Sequence, residues 1–287
     1  MNFRRWKSTF SPSDMLLTCN TPARNAINLI SPRTPYAFSA IPNELFALPP
    51  EDGTSYLAVG LIPHNSCLPP EEQVTNLYSQ IEAWLRAEGL TYAHVVRTWF
   101  YLDKITAWYP LFNAARDAYC LPRLAPGFIP ASTGIGCANV SQSALTAAVW
   151  AVKPAAGTQI VQRPSPLQNP ATDYRSTFAR AVRISGSSSD LLALSGTASI
   201  GANGKSLHQG DTSAQINHTL DVVEAILQDN GRQWQDLRYA VAYLKNPSDL
   251  PIWERIRHAR GLARIPLHTM VADICREELT FEMEALA

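Results

Sequence analysis

Hydrophobic side chains recur every three or four residues in two segments of the chain, and this spacing predicts two long helices that each bury one face. The apolar positions are Val74, Leu77, Tyr78, Ile81, Trp84 and Leu85 in the first segment, and Ile216, Leu220, Val223, Ile226 and Leu227 in the second. Gly89 and Gly231 follow these segments, where glycine commonly ends a helix. After each helix the pattern predicts a strand, a shorter helix that begins near Pro110 or Pro251, and a final strand at about 144–152 or 278–286.

The order of these elements repeats, and short stretches of sequence repeat with it. The segment LAVG at 57–60 resembles ALSG at 193–196, WFYL at 99–102 resembles VAYL at 241–244, and a glutamine, Gln73 or Gln215, begins each long helix. Two homologous units with the order β-β-α-β-α-β explain this repetition. Such a unit packs both helices on one face of a mixed sheet, which predicts the α+β fold class.

The repeat also predicts how the chain is divided. We expect an N-terminal arm at 1–39, a first unit at 40–152, a linker at 153–172 and a second unit at 173–287. The linker is predicted because this segment contains four prolines and shows little periodicity.

The composition and net charge argue against several classes of function. The 287 residues include 24 Lys and Arg and 24 Asp and Glu, and a net charge of zero argues against nucleic acids or anionic membranes as the main partners. The basic start, with Arg4 and Arg5, is followed by Ser11 and Pro12 instead of an apolar region, which predicts a surface arm of a cytoplasmic protein. The spacing of the five cysteines and six histidines predicts neither a disulfide framework nor a metal site.

The final strand of the second unit carries two acidic residues on one face. Alternation places Leu279, Phe281, Met283 and Ala285 toward the helices and puts Glu282 and Glu284 together on the opposite face. Two such carboxylates are often simply solvated, but Ala148 and Trp150 occupy the matching positions of the first unit. The acid pair is therefore present in one unit only, which favours a functional site.

Two arginines are predicted near this face. Arg97 shares a strand face with Trp99 and Tyr101, and Arg180 begins the first strand of the second unit. Two interpretations are open for each arginine: it binds a carboxylate ligand, or it forms an ion pair between the units. An acid and arginines beside aromatic rings are typical of a pocket for a small, anionic, partly apolar molecule.

The order of the motifs resembles the YjgF/RidA superfamily of small trimeric α+β proteins, and two such units in one chain resemble the chorismatases, which cleave chorismate. The residues that carry the resemblance are VRTWFYL at 96–102, RDAY at 116–119, PASTGIG at 130–136, FARA at 178–181, LSGTASI at 194–200 and the segment 274–284.

The resemblance implies a cofactor-free reaction on a small molecule, chorismate. Glu282 would be the general acid that protonates the methylene carbon of the enolpyruvyl ether, and the reaction would release pyruvate. The resemblance also implies roles for further residues. Arg97 and Arg180 would bind the two carboxylates of the substrate, and Glu284 would raise the pKa of Glu282. Cys275 would be a second catalytic residue, and Tyr119 and Thr133 would form part of the pocket wall.

The resemblance leaves two ring products open, because two groups of the family form different products. A cysteine at the position of Cys275 resembles the group that forms 3-hydroxybenzoate, whereas another group adds water and forms a dihydroxycyclohexadiene carboxylate. Considered without the resemblance, Cys275 is more typical of a small buried hydrophobic residue than of a nucleophile.

Two other functions stay open. An imine deaminase of the parent superfamily uses an arginine shortly after the proline of the loop before the last strand, and neither IPAST at 129–133 nor IPLHT at 265–269 contains one. A small-anion binding protein without enzymatic activity is the second alternative. The sequence is compatible with a monomer and with a homo-oligomer.

Overall fold

A computed structural model describes residues 43–139, 141–174 and 176–287. The first part of this chain contains β1 (Gly53–Leu61), α1 (Pro70–Ala87), β2 (Val95–Leu102), α2 (Ile105–Cys120), β3 (Ala131–Gly136) and β4 (Leu145–Pro154). Its strands form a four-stranded sheet with the order β1-β4-β2-β3, in which β2 and β3 are parallel and the other pairs are antiparallel.

The second part contains β5 (Gln159–Arg163), β6 (Ala181–Ser185), β7 (Asp190–Ala198), α3 (Thr212–Asp229), β8 (Tyr239–Leu244), α4 (Leu250–Ala259), β9 (Leu267–Val271) and β10 (Phe281–Leu286). Its strands form a six-stranded sheet with the order β5-β6-β7-β10-β8-β9, in which only the β8–β9 pair is parallel. The α+β class, two mixed sheets and four helices agree with the prediction.

The two long helices bury the predicted stripes, and a glutamine at the same place in each helix holds the last strand of its sheet. The Gln73 side chain accepts a hydrogen bond from the backbone N–H of Ala144 at 2.8 Å, and that of Gln215 accepts one from Thr280 at 2.9 Å. Both glutamine side chains are buried. The repeat in the sequence thus corresponds to a repeated contact in the structure.

Several elements differ from the sequence prediction. Strands β3 and β9, each between the second helix and the last strand of its sheet, were predicted as loops, and β5 lies within the predicted linker. In the described residues one strand, β1, precedes α1 where the unit predicted two. Helix α2 begins at Ile105, so Pro110 lies in its second turn. The predicted arm, 1–39, lies outside the described residues.

The inner faces of the two sheets pack against each other. Trp99 and Trp150 of the first sheet and Val241 and Tyr243 of the second belong to one buried cluster, while the helices cover the outer face of each sheet with two further clusters. The ring of Phe46 packs edge-on against both tryptophans. Polar residues on the inner faces are therefore enclosed by both units.

Strand β10 presents its two faces as alternation predicts, with one exception. Phe281, Met283 and Ala285 pack under α3 and α4, and Glu282 and Glu284 lie on the inner face. Leu279 was predicted to join the apolar set, but it precedes the strand and packs in the core between the sheets. The last strand thus carries both acids into the region where the units meet.

The described residues contain neither a membrane-spanning helix nor a cluster of metal ligands. No helix there has the length and apolar character to cross a membrane. No group of three His, Cys, Asp or Glu side chains there is arranged to hold a metal ion.

Candidate functional site

Glu282 lines a cleft at the junction of the two units. Glu282 itself is 4% exposed. The cleft is lined from the first unit by Phe100, Tyr109, Phe112, Arg116, Ser132 and Gly134, and from the second unit by Tyr174, Ser176, Phe178, Arg180, Gly196, Ala198, Ile200, Cys275 and Arg276. Aromatic and polar side chains of both units therefore surround the acid.

Burial raises the pKa of the Glu282 carboxyl from its ordinary 4.5 to about 8, and the charge of Glu284 adds to the rise. In the described residues no protein group forms a hydrogen bond with this carboxyl. Near neutral pH the cleft therefore holds a protonated acid whose proton is available to a ligand.

Glu284 lies deeper than Glu282 and is fully partnered. Its Oε2 accepts a hydrogen bond from Nη2 of Arg97 at 3.0 Å, and its Oε1 accepts one from Nε1 of Trp99 at 3.0 Å. The side chains of Arg97 and Glu284 are each 1% exposed. Because both of its oxygens accept hydrogen bonds from enclosed side chains, Glu284 is held in a fixed position.

Arg97 thus forms an ion pair between the units, which is the second of the two interpretations that the sequence left open. Its guanidinium also donates to the backbone carbonyl of Leu194 and to Oγ1 of Thr133, the latter at 3.1 Å. It is not among the residues that line the cleft. The contact of Arg97 with the site passes through Glu284.

Thr133 and Gly196 form the wall behind the acid. The Thr133 hydroxyl oxygen accepts a hydrogen bond from the N–H of Gly196 at 3.0 Å, in addition to the bond from Arg97. Thr133 itself lies behind the cleft, and its neighbours Ser132 and Gly134 line it. Strand β3 is therefore joined to β7 beside Glu282.

Arg180 is buried in the cleft wall without an acidic partner. It is 4% exposed, and its Nε and Nη2 donate to the backbone carbonyl of Asn169 at 3.1 and 2.7 Å. Its guanidinium carbon lies 5.5 Å from the ring centre of Tyr174 and 5.4 Å from that of Phe178. Across the part of the chain described, no carboxylate forms an ion pair with it. A desolvated guanidinium of this kind favours an anionic ligand.

Cys275 faces the same cleft as a neutral thiol. Burial raises its pKa to about 12, and the nearby Glu282 contributes to the rise. The thiol therefore lacks the thiolate character of a cysteine nucleophile.

Tyr119 lies away from the cleft, where α2 packs against α1. Its hydroxyl donates to Oε2 of Glu82 at 2.6 Å, and its ring stacks on Tyr78 with 5.4 Å between centroids. The structure thus brings Glu282, Cys275 and Arg180 together in the cleft, places Arg97, Glu284 and Thr133 behind them, and leaves Tyr119 outside.

Among the cleft residues to which the sequence assigned no role are Tyr109, Arg116, Tyr174 and Arg276, although Arg116 and Arg276 lie in the motifs at 116–119 and 274–284. For Arg116 a signal existed, because the buried stripe of α2 comprises Ile105, Trp108, Phe112, Arg116 and Cys120. A charged residue inside an otherwise apolar stripe indicates a buried charge with a specific task. Tyr174 ends a short 3₁₀ helix and Arg276 lies in a loop, so neither offers such a pattern.

Comparison with known proteins establishes the fold. No protein-family model matches the sequence, and no curated protein matches it significantly. The structure is similar to a crystal structure of chorismatase, with a TM-score of 0.67 and 22% sequence identity over 83% of this chain and 75% of that chain. The two proteins share a fold.

Two smaller proteins match about half of the chain. One is a Rid-family protein of unknown function from Yersinia pestis, with 15% identity over 45% of this chain and 98% of that one, at a TM-score of 0.36. The other is a member of the YjgF/YER057c/UK114 family from Mycobacterium tuberculosis, with 22% identity over 45% of this chain and 98% of that one, at a TM-score of 0.35.

Proposed function

We propose that this protein is a chorismatase-like enzyme that cleaves the enolpyruvyl ether of chorismate and releases pyruvate. The observation that carries the proposal is the protonated, unpartnered carboxyl of Glu282 in a cleft that also contains Arg180, which has no acidic partner. The similarity to a chorismatase structure over most of the chain supports it.

The chemistry begins with transfer of a proton to carbon. The O–H of Glu282 gives its proton to the terminal methylene of the enol ether, which becomes a methyl group, and the carbon that bears the ether oxygen becomes an oxocarbenium ion. Protonation of carbon at neutral pH requires a positioned acid that has kept its proton. The raised pKa of Glu282 meets this requirement.

Two routes lead from that ion to pyruvate. If water adds to the cationic carbon, the hemiketal collapses to pyruvate and a dihydroxycyclohexadiene carboxylate. If the oxygen of the neighbouring ring hydroxyl attacks the ring carbon that bears the ether instead, the bond from that carbon to the ether oxygen breaks, pyruvate leaves with this oxygen as its ketone oxygen, and a protonated epoxide remains on the ring. The epoxide then opens at the carbon that first bore the hydroxyl. The carbon that keeps the oxygen loses its hydrogen as a proton to the Glu282 carboxylate, which gives 3-hydroxybenzoate.

We favour the second route because of Cys275. Its thiol is neutral and stands in the wall near Glu282, where it provides an apolar surface and no base to activate water. The same buried position gives no support to a role as nucleophile.

Arg180 is our candidate for holding a carboxylate of the substrate, since its guanidinium lines the cleft and has no acidic partner. We assign Arg97 and Glu284 a positioning role instead, because they are bound to each other behind the acid. Thr133 supports the same arrangement through its hydrogen bonds to Arg97 and Gly196.

The test is to incubate the purified protein with chorismate, to measure pyruvate by a coupled assay and to identify the ring product by mass. Pyruvate with 3-hydroxybenzoate is the expected result, and pyruvate with the diol would refute the second route only. Absence of pyruvate would refute chorismate as substrate. Glu282→Gln should lose turnover while it still binds chorismate, whereas a binding protein would show no turnover in either form.

A further inference from the structure

Three buried polar groups near Glu284 have no hydrogen-bond partner in the described chain. They are the Nε of Arg97, whose Nη2 binds Glu284, and the hydroxyls of Tyr239 and Tyr243. None of the three residues is more than 2% exposed. Each of these groups forms hydrogen bonds with solvent in the unfolded chain, so its burial without a partner is unfavourable. The arrangement therefore indicates a bound group that supplies the missing partners.

The pairing of β8 with β10 places the two tyrosines on either side of Glu284. Val241 lies directly opposite Glu284, and Tyr243 lies opposite Glu282. Tyr239 and Tyr243 are thus both diagonal neighbours of Glu284 on the inner face of the sheet, at a spacing that aromatic side chains can bridge. The two unpartnered hydroxyls therefore flank one carboxyl group.

The carboxyl group of Glu284 can accept more hydrogen bonds than its protein partners donate. Its Oε1 accepts one from Trp99 and its Oε2 accepts one from Arg97, and each oxygen has a second lone pair. Burial raises the pKa of Tyr239 and Tyr243, and the charge of Glu284 adds to the rise, so both hydroxyls keep their protons. A molecule that fits between them must accept hydrogen bonds from the hydroxyls and donate one to the carboxyl.

Val241 leaves space between the two tyrosines. It lies between them on the inner face of β8, and its short side chain does not extend to the level of their hydroxyls. The matching residue of the first unit is Trp99, which is much larger. An internal water needs a small space with two to four polar partners, and the groups around Glu284 supply that number.

We propose that Tyr239, Tyr243 and Glu284 enclose a binding site for ordered water. The water accepts a hydrogen bond from a tyrosine hydroxyl and donates one to the carboxyl of Glu284, and the Nε of Arg97 is a further donor. Because Tyr243 lies opposite Glu282, this water belongs to the polar network behind the acid. The site is separate from the cleft and does not depend on the proposed function.

Magnetic relaxation dispersion of ¹⁷O in water tests the site, because it counts the water molecules that a protein holds internally. We expect the double variant Tyr239→Phe with Tyr243→Phe to hold fewer internal waters than the wild type. Tyr56→Phe is the matched control, since it removes the hydroxyl of a half-buried tyrosine on β1, outside the cluster between the sheets. The control should keep the wild-type count. An unchanged count in the double variant would overturn the proposal.

Urea unfolding of the single variants gives an independent test. A hydroxyl that binds water loses this hydrogen bond in Tyr243→Phe, so we expect the equilibrium constant for folding to fall about two- to tenfold. A hydroxyl with no partner would give unchanged or higher stability, because the variant removes an unsatisfied group. A hydroxyl bonded directly to Glu284 would lower the stability but leave the count of internal waters unchanged. Either of these two results would overturn the proposal.

The variant Glu284→Gln tests whether the water is bound to this carboxyl. We expect Tyr243→Phe to have a smaller effect on folding in the Glu284→Gln protein than in the wild type, and an equal effect would contradict the assignment to Glu284. If Tyr243→Phe does not fold, Tyr239→Phe replaces it with the same expectations. These measurements do not require turnover, so a protein that forms no pyruvate from chorismate would refute the proposed function and leave the water site in place.

Discussion

A Cβ atom placed on Gly196 would lie 2.1 Å from Oε1 of Glu282. The carboxyl of the acid thus rests directly against the backbone of β7, in space that a side chain at this position would occupy. The absence of a side chain at Gly196 is a requirement of the site, because a contact this short forces the carboxyl to move.

We expect Gly196→Ala to displace the Glu282 carboxyl and to lower kcat on chorismate by about a hundredfold, since an ångström of misplacement has an effect of this size. Circular dichroism and the thermal midpoint should show that the variant is folded. A folded Gly196→Ala protein with wild-type kcat would contradict the placement of the acid.

Turnover of chorismate, as proposed, should depend on the protonated form of Glu282. Because its pKa is raised to about 8, we expect kcat to be constant below this pH and to fall as the pH rises through it. Glu284→Gln removes the negative charge beside the acid, so the fall should begin at lower pH. A profile of kcat between pH 5 and 10 for both proteins checks this, and an unchanged midpoint in the variant would exclude the effect of Glu284.

The same pKa predicts a change in stability with pH. The folded protein keeps a proton on Glu282 up to about pH 8, whereas the unfolded chain releases it near 4.5, so the folded state binds more protons between these values. The contribution of Glu282 to the free energy of unfolding should therefore decrease as the pH rises from about 4.5 to about 8. Urea unfolding of the wild type should show this decrease, and Glu282→Gln should show less of it.

Removal of Arg97 should be strongly destabilising. Arg97→Met leaves the carboxylate of Glu284 buried without its cationic partner, and we expect a loss of about 3–5 kcal/mol in the free energy of unfolding. The double variant Arg97→Met with Glu284→Gln should recover part of this loss, because it removes the unpaired charge. Urea unfolding measures both, and strictly additive losses would argue against direct coupling.

Asp52 joins the first unit to a turn of the second. Its Oδ1 accepts hydrogen bonds from the N–H and the hydroxyl of Ser187 at 2.7 and 2.9 Å, and its Oδ2 accepts one from the N–H of Ser188 at 3.0 Å. Hydrogen bonds from the serine hydroxyls and backbone lower its pKa from 3.8 to about 2.

The stability that this carboxylate contributes should be complete above pH 3.8 and should disappear as the pH falls toward 2. Asp52→Asn should lower the thermal midpoint at pH 7 and should remove this part of the acid dependence. Thermal scans from pH 2 to 7 compare the two proteins, and parallel curves would contradict the prediction.

The sequence predicted the helices, the repeat and the faces of β10, because each of these depends on local periodicity. It did not predict β3 or β9. Strand β3 has the sequence ASTGIG, in which small residues and two glycines give no alternation, and its order comes from the parallel pairing with β2. Pairing between distant segments is invisible to a local pattern.

The site was predictable to a similar extent. Alternation placed Arg97 and Glu284 on inward faces, but their contact joins residues 187 positions apart, which no spacing rule supplies. The choice between ligand binding and an ion pair for Arg97 therefore required the structure. Arg116 carried a readable signal in the apolar stripe of α2, whereas Arg276 in an irregular segment carried none.

The central position of β10 in its sheet links the assembly of the site to the completion of that sheet. It follows β7, β8 and β9 in the chain, yet it lies between β7 and β8 in the sheet, so β7 and β8 are joined only through β10. Glu282 and Glu284 both lie on this strand, and Glu284 contacts Arg97 of the other sheet. A chain in which β10 is unpaired lacks the contacts that surround Glu282. Turnover regained in a refolding experiment should therefore count only molecules whose second sheet is complete.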